Sequence, residues 1–221
     1  MNIAIDGPAG AGKSTIAKLV AAKLGFIYVD TGAMYRAMAL YFLENGIQPE
    51  DEEKVSAACG QIDISLRYQD GVQQVILNGR DVSGKIRTEA VGNAASVVSA
   101  YRAVRQALLA LQQNLAKTSN VIMDGRDIGT VVFPDAELKL FVTASPEVRA
   151  KRRVDELEAK GIPASYEEVL ENVKKRDYID STREESPLRQ ADDALVLDNS
   201  HMTLDEQKAW LLEQYHKAIG S

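Results

Sequence analysis

Short apolar runs alternate along this chain with longer segments of helical spacing. Residues 1–5 form an apolar run of the kind a buried strand makes, and residues 15–24 place apolar side chains at helical intervals up to Gly25, a helix stop. Residues 26–29 predict a second strand. Residues 33–43 predict a helix with Met34, Ala37, Met38 and Tyr41 on one side and Asn45-Gly46 as its stop, and the acidic stretch 49–53 reads as a solvated helix start. After Gln61 the period falls to two. Ile62, Ile64, Leu66 and Tyr68 alternate with polar residues, Asp70-Gly71 marks a turn, residues 73–77 resume the strand, and Asn78-Gly79 turns it again into 80–82. Helical spacing returns over 88–98 and 102–115, the latter with Val104, Leu108, Leu111 and Leu115 on one face. Strands follow at 121–123, 138–142 and 194–197. Helices follow at 146–160, opened by Pro146 and stopped by Gly161-Ile162-Pro163, and at 166–178 and 204–219.

Strands that alternate with helices imply a parallel sheet covered on both faces. The expected fold is therefore α/β: a five-stranded parallel sheet with helices on both faces and an inserted small antiparallel three-stranded meander.

The first strand-to-helix junction carries chemistry. Gly7, Pro8, Ala9, Gly10, Ala11, Gly12, Lys13 and Ser14 fit the phosphate-loop pattern G-x-x-x-x-G-K-[S/T] at every fixed position, with a strand before and a helix after. The glycines let backbone N–H groups turn inward around phosphate oxygens, and the helix that follows through Thr15 adds its partial positive charge. Lys13 is expected to reach the β- and γ-phosphates and the Ser14 hydroxyl to hold Mg²⁺, so a nucleoside triphosphate is the expected ligand.

Composition narrows the partners. The net charge of −6 argues against a general nucleic-acid binder. Cys59 is the single cysteine, which excludes an intramolecular disulfide and suits a reducing compartment; within residues 55–59 it reads as a small residue on a helix face. No apolar run is long enough to span a membrane, and the N-terminus goes straight into strand and loop without a signal pattern, so a cytoplasmic protein is expected. His201 and His216 read as surface residues, and no Cys/His cluster suggests zinc.

In open parallel sheets, ligands gather beyond the carboxyl ends of the strands. Asp30-Thr31-Gly32 with Arg36, Asp124-Gly125-Arg126-Asp127, and the later set Arg176, Asp177, Asp180 and Arg183 are placed to converge there with the phosphate loop. Arginines facing a phosphate loop suggest a second anionic substrate, because the guanidinium fork matches phosphate oxygens in pairs. These residues alone point to phosphoryl transfer from a nucleotide to a small phosphorylated acceptor.

Five stretches carry a resemblance: residues 5–14, 30–36, 81–87, 124–134 and 176–183, spread over almost the whole chain. With them the sequence resembles the bacterial cytidylate kinases, P-loop enzymes that move a phosphoryl group from ATP to CMP or dCMP. The inserted meander is also a mark of that family. The resemblance implies that Arg36, Arg126 and Arg183 hold the acceptor phosphate. It implies that Ser96, Arg105 and Asp127 read the cytosine edge, that Asp180 and Arg176 contact the ribose hydroxyls, and that Thr31 and Asp124 line the acceptor site. A carboxylate facing the exocyclic position favours the amino group of cytosine over the carbonyl of uracil. Catalytic roles fall on Lys13, Arg126, Arg183 and a lid arginine, Arg153. Arg152 and Arg153 also fit a solvated helix face.

The implied organisation is a core of residues 1–35, 86–148 and 184–221, an acceptor-binding part at 36–85 that extends to about 105, a lid at 149–165, and an arginine-bearing helix at 166–183. The expected partners are ATP with Mg²⁺, CMP and dCMP, with no nucleic acid and no membrane, in a monomer. A kinase for another small molecule is the enzymatic alternative. A GTPase-type switch would need a guanine-reading N-K-x-D motif, which the chain lacks.

Overall fold

The computed structural model describes residues 1–117 and 119–220; Thr118 and Ser221, both inside segments assigned above to the core, lie outside the described residues. Five strands build the main sheet: β1 (Asn2–Asp6), β2 (Ile27–Asp30), β6 (Val121–Gly125), β7 (Leu138–Thr143) and β8 (Leu195–Asp198). Their order is β2-β6-β1-β7-β8, and every pairing is parallel. The remaining strands, β3 (Ile64–Gln69), β4 (Val72–Leu77) and β5 (Arg80–Asp81), form the separate antiparallel meander. The expected α/β architecture is therefore present.

The side-chain alternation of β1 shows how the two faces are divided. Ile3 and Ile5 pack with Ile16, Ala17 and Val20 of α1 (Lys13–Leu24) and Leu211 of α8 (Leu204–Ala218). Ala4, between them, faces Val29, Met123 and Ile128 on the other side. A third cluster joins α2 (Thr31–Glu44), α4 (Glu89–Val98) and α5 (Arg102–Leu115) to the buried side of the meander, with Met34, Met38 and Phe42 at its centre. Each fully buried side chain of this size stabilises the fold by about 1.5–3 kcal/mol relative to its exposed state.

The meander also touches β2 through side chains. Tyr68 Oη donates to the Tyr28 carbonyl (3.2 Å), while the Gln73 amide accepts from the Asp30 N–H (2.8 Å) and donates to the Asp30 carbonyl (3.2 Å). The acidic stretch does start a helix, α3 (Glu52–Ala58), capped by the Asp51 side chain. The charged segment forms α6 (Pro146–Ala159), which packs beside α7 (Tyr166–Thr182).

Some boundaries differ from the sequence expectation. Helix α2 begins at Thr31 with no connecting loop, because the Asp30 side chain accepts from the Ala33 N–H and caps it at once. β1 and β6 run on into polar residues, to Asp6 and Gly125. A π-helical turn, Ile128–Val132, follows β6 where the sequence shows only a motif-bearing loop.

Candidate active site

The phosphate loop is held by close packing and by one lysine. Gly7 has φ 147°, and a Cβ there would lie 1.9 Å from the Val142 carbonyl oxygen, so the loop passes β7 where no side chain fits. Lys13 Nζ reaches back to the Pro8 carbonyl (2.8 Å). Burial pushes the Lys13 ammonium well below the usual lysine range and Arg126 adds to the effect, with Asp124, Asp6 and Asp180 opposing. A polyanion on the loop would reverse that balance.

Beyond the carboxyl ends of β1, β2 and β6 lies a cavity of about 550 Å³. Ala9, Gly10, Gly12, Lys13, Ser14 and Thr15 line it; Gly7, Pro8 and Ala11 stand behind and support the loop, Ala11 through its carbonyl, which accepts from Asn199 Nδ2 (2.8 Å). All the acceptor residues named from the sequence line the same cavity: Thr31, Arg36, Ser96, Arg105, Asp124, Arg126, Asp127, Arg176, Asp180 and Arg183. Arg153 lines it as well, paired with Glu156 at 2.9 Å.

Positive charge exceeds its internal partners here. Arg126 pairs with Asp180 (2.7 Å), and Arg183 lies 3.8 Å from the same carboxyl group while donating to Ser186 O (2.9 and 2.7 Å) and Ser99 Oγ (3.2 Å). Burial raises the Asp180 pKa, but Arg126, Arg183 and Arg176 outweigh it and hold the carboxyl below its ordinary range. Arg36 has a single hydrogen bond among the described residues, to the Ile86 carbonyl at 3.3 Å, and the Arg176 Nε is buried with no partner. Burial and the repulsion of Arg176 and Arg87 push Arg36 down to about 10. Burial and Arg126 push Arg176 down in the same way. Such a group of guanidiniums has the charge and the donors to hold an anion.

A second polar set lines the same cavity. Arg105 pairs with Asp127 and donates to the Ser99 carbonyl (3.0 Å), and the Ser96 hydroxyl is buried without a partner. Near the loop, Ser14 Oγ donates to one Asp124 oxygen (2.7 Å) and Tyr28 Oη to the other (2.9 Å), while Thr31 Oγ1 donates to the Asp124 carbonyl (2.8 Å). Burial and the neighbouring Asp30 raise the Asp124 pKa, against the attraction of Lys13.

The family described as cytidylate kinase matches residues 3–217. The chain belongs to the cytidylate kinase family. A curated cytidylate kinase of Parabacteroides distasonis is 66% identical over 99% of this chain and 98% of its own length. One from Bacteroides fragilis is 55% identical over 99% and 98%, and one from Caldicellulosiruptor saccharolyticus 52% identical over 100% and 98%.

Arg149 and Arg87, to which the sequence assigns no role, line the same cavity together with Arg152. Arg149 is buried, donating to the carbonyls of Ala144 (2.8 Å) and Ala9 (3.1 Å) and forming a fork with Asp177 (2.9 and 2.5 Å), so it ties α6 and α7 to the phosphate loop. The available signal was its place beside Ala150, Val154 and Leu157 on the buried stripe of α6. Arg152 donates to Asn199 Oδ1 (3.0 Å) and O (2.9 Å), so neither it nor Arg153 is a bare surface charge. Arg87 pairs with Asp30 at 2.6 Å and lines the cavity. His201 and His216 are exposed, and Cys59 is half-buried with its thiol on the Val55 carbonyl (3.3 Å). Among the described residues no helix is long and apolar enough to cross a membrane.

Proposed function

We propose that this chain transfers the γ-phosphoryl group of ATP to CMP or dCMP, giving ADP and CDP or dCDP. The observation that carries the reading is the arginine group, Arg36, Arg126 and Arg176 half-buried and Arg183 buried, in one cavity with the phosphate loop and beside the Ser96–Arg105–Asp127 edge. One cavity thus offers two anion sites and a polar slot for a base.

In this reading ATP lies with its phosphates on the loop N–H groups and Lys13. Arg36, Arg126 and Arg183 hold the acceptor phosphate, Asp180 and Arg176 meet the ribose, and Asp127 accepts from the cytosine amino group while Arg105 and Ser96 face its ring nitrogen and carbonyl. An oxygen of the acceptor phosphate attacks the γ-phosphorus; the bond to the β-bridging oxygen breaks and ADP leaves. The protein supplies alignment and positive charge where the transferring group is most negative. Arg153, reaching the cavity from α6, completes that charge when segment 149–165 closes over ATP and excludes water. Residues 36–85 act as the acceptor-binding part.

Ser14 Oγ and the Asp124 carboxylate stand 2.7 Å apart beside the loop, two hard oxygen donors that fit Mg²⁺. Among the described residues no group of three or more His, Cys, Asp or Glu side chains could hold a metal, so nucleotide phosphates and water would complete the shell. Bound with ATP, the ion would neutralise part of the phosphate charge. The reading includes a monomer, and its substrates and lone cysteine suit the cytoplasm.

The test is ADP release from ATP and Mg²⁺ with CMP, dCMP, UMP, AMP, GMP or no acceptor. Strong turnover with CMP and dCMP alone is expected. Turnover with AMP, or without an acceptor, would leave the phosphate loop and remove the assigned acceptor.

A further inference from the structure

Asp6 is the last residue of β1, directly before the phosphate loop, and it does not line the cavity. It is buried at 4% exposure, and its two carboxylate oxygens accept from the N–H groups of Ile128 (2.8 Å) and Gly129 (2.7 Å). Those are the leading N–H groups of the π-helical turn Ile128–Val132, whose first residue follows Asp127 directly. The Asp127 carbonyl in turn accepts from the N–H groups of Val131 (2.9 Å) and Val132 (3.2 Å). On its other side Asp127 is two residues from Gly125, which is in register with Asp6 in the sheet. The backbone of Asp127 is thus held between a strand end paired with Asp6 and a turn whose leading N–H groups the Asp6 carboxylate accepts from.

We infer that Asp6 is a positioning residue for acceptor recognition: its carboxylate clamps the turn after β6 and so sets the place of Asp127 against Arg105. The inference rests on the assignment of Asp127 to the cytosine edge.

An ionised carboxylate suits this role better than any neutral side chain of the same size. Two N–H donors need two acceptors, and an amide of equal shape offers one oxygen and one competing NH₂. Burial works against the charge and raises the Asp6 pKa to about 6, while the two N–H bonds and Lys13 resist it and Asp127 adds to it. Space is also tight. A Cβ on Gly129 would lie 3.3 Å from Asp6 Oδ2 and 3.2 Å from Lys139 Cδ, so a methyl group there would crowd the clamp by a few tenths of an ångström. The donor loop does not depend on this contact alone, since Gly7 is wedged against Val142 and Asn199 holds Ala11. Loss of the clamp is therefore expected to disturb the acceptor more than ATP.

The experiment measures KM and kcat for ATP, CMP and UMP in the wild type, Asp6→Asn and Gly129→Ala, with melting temperatures alongside. In Asp6→Asn the KM for CMP is expected to rise about tenfold or more, within the ~100-fold that a 1 Å misplacement can produce. The CMP-over-UMP preference should fall in parallel, with the KM for ATP within about twofold by the same positional argument. Gly129→Ala leaves the charge intact and should give the same split to a smaller degree; it decides the matter if Asp6→Asn does not fold. Variants that melt earlier but keep the CMP-over-UMP preference, or that weaken ATP and CMP equally, would overturn the positioning role alone. A wild type with no preference for CMP over UMP would overturn the cytosine assignment and this inference with it.

Discussion

Replacing Asp127 by alanine separates recognition from stability at the base slot. Asp127 and Arg105 have side chains only 5% and 9% exposed, and among the described residues Arg105 has no other carboxylate within ion-pair distance. After the substitution its guanidinium would keep the Ser99 carbonyl at 3.0 Å, while its Nε is already without a partner. Removing one member of a buried ion pair destabilises by about 3–5 kcal/mol. At ~2–4 °C per kcal/mol for a chain of this size, the melting temperature should fall by roughly 6–20 °C. A second change, Arg105→Met, removes the stranded charge, and most of the lost stability should return, since replacing both partners by apolar groups is often neutral.

Acceptor recognition should not return with it. The cytosine amino group would still lack its charged acceptor, a loss of about 1.5–3 kcal/mol, or roughly 10- to 150-fold in the KM for CMP, and the Arg105 change removes a second base contact on top of it. Differential scanning fluorimetry reads the first quantity and the ADP-release assay the second. If the double variant regains CMP affinity together with its melting temperature, Asp127 acts on the fold and not on the base. Equal losses for ATP and CMP in Asp127→Ala would have the same meaning.

Three further outcomes follow from the geometry. Lys13→Ala should lower kcat by ~100-fold or more through loss of charge at the transferring phosphate; near-normal turnover in the coupled assay would refute the role given to Lys13. Gly7→Ala would place a Cβ 1.9 Å from the Val142 oxygen, so ATP binding measured by calorimetry should be lost, and wild-type affinity would contradict the loop packing. Asp6 has its folded pKa raised from 3.8 to about 6, so the stability it contributes is full below pH ~4 and is lost as pH rises through ~6. Measured by urea unfolding, Asp6→Asn should therefore gain on the wild type by up to about 3 kcal/mol between pH 4 and 7, and a flat difference would count against the raised pKa.

Much of the site was legible in the sequence because its signals are local. The phosphate loop is one uninterrupted motif, and Asp30 to Arg36, Asp124 to Asp127 and Arg176 to Arg183 each follow a strand or helix whose period can be read directly. What escaped depends on contacts between distant segments. Asp6 looks like an ordinary polar strand end until Ile128, 122 residues away, is brought to it. Asn199 meets Ala11 across 188 residues, and Tyr28 meets Asp124 across 96, so neither leaves a periodic trace. Arg149 was hidden among lid charges, although its partners are a loop carbonyl and Asp177. The π-helical turn was missed for a related reason: its leading N–H groups are satisfied by a side chain from another strand and not by a nearby cap.

The contacts between the meander and β2 have a consequence for solubility during folding. β2 is the outer strand of the main sheet, and an open strand edge invites pairing with another chain. Tyr68 occupies the outward carbonyl of Tyr28, and the amide of Gln73 occupies both the N–H and the carbonyl of Asp30. Gln73 thus stands in for one residue of a neighbouring strand without extending the sheet. A chain with the meander removed would expose a ready template for edge-to-edge association. The insertion therefore also serves as a cap that keeps the sheet at five strands.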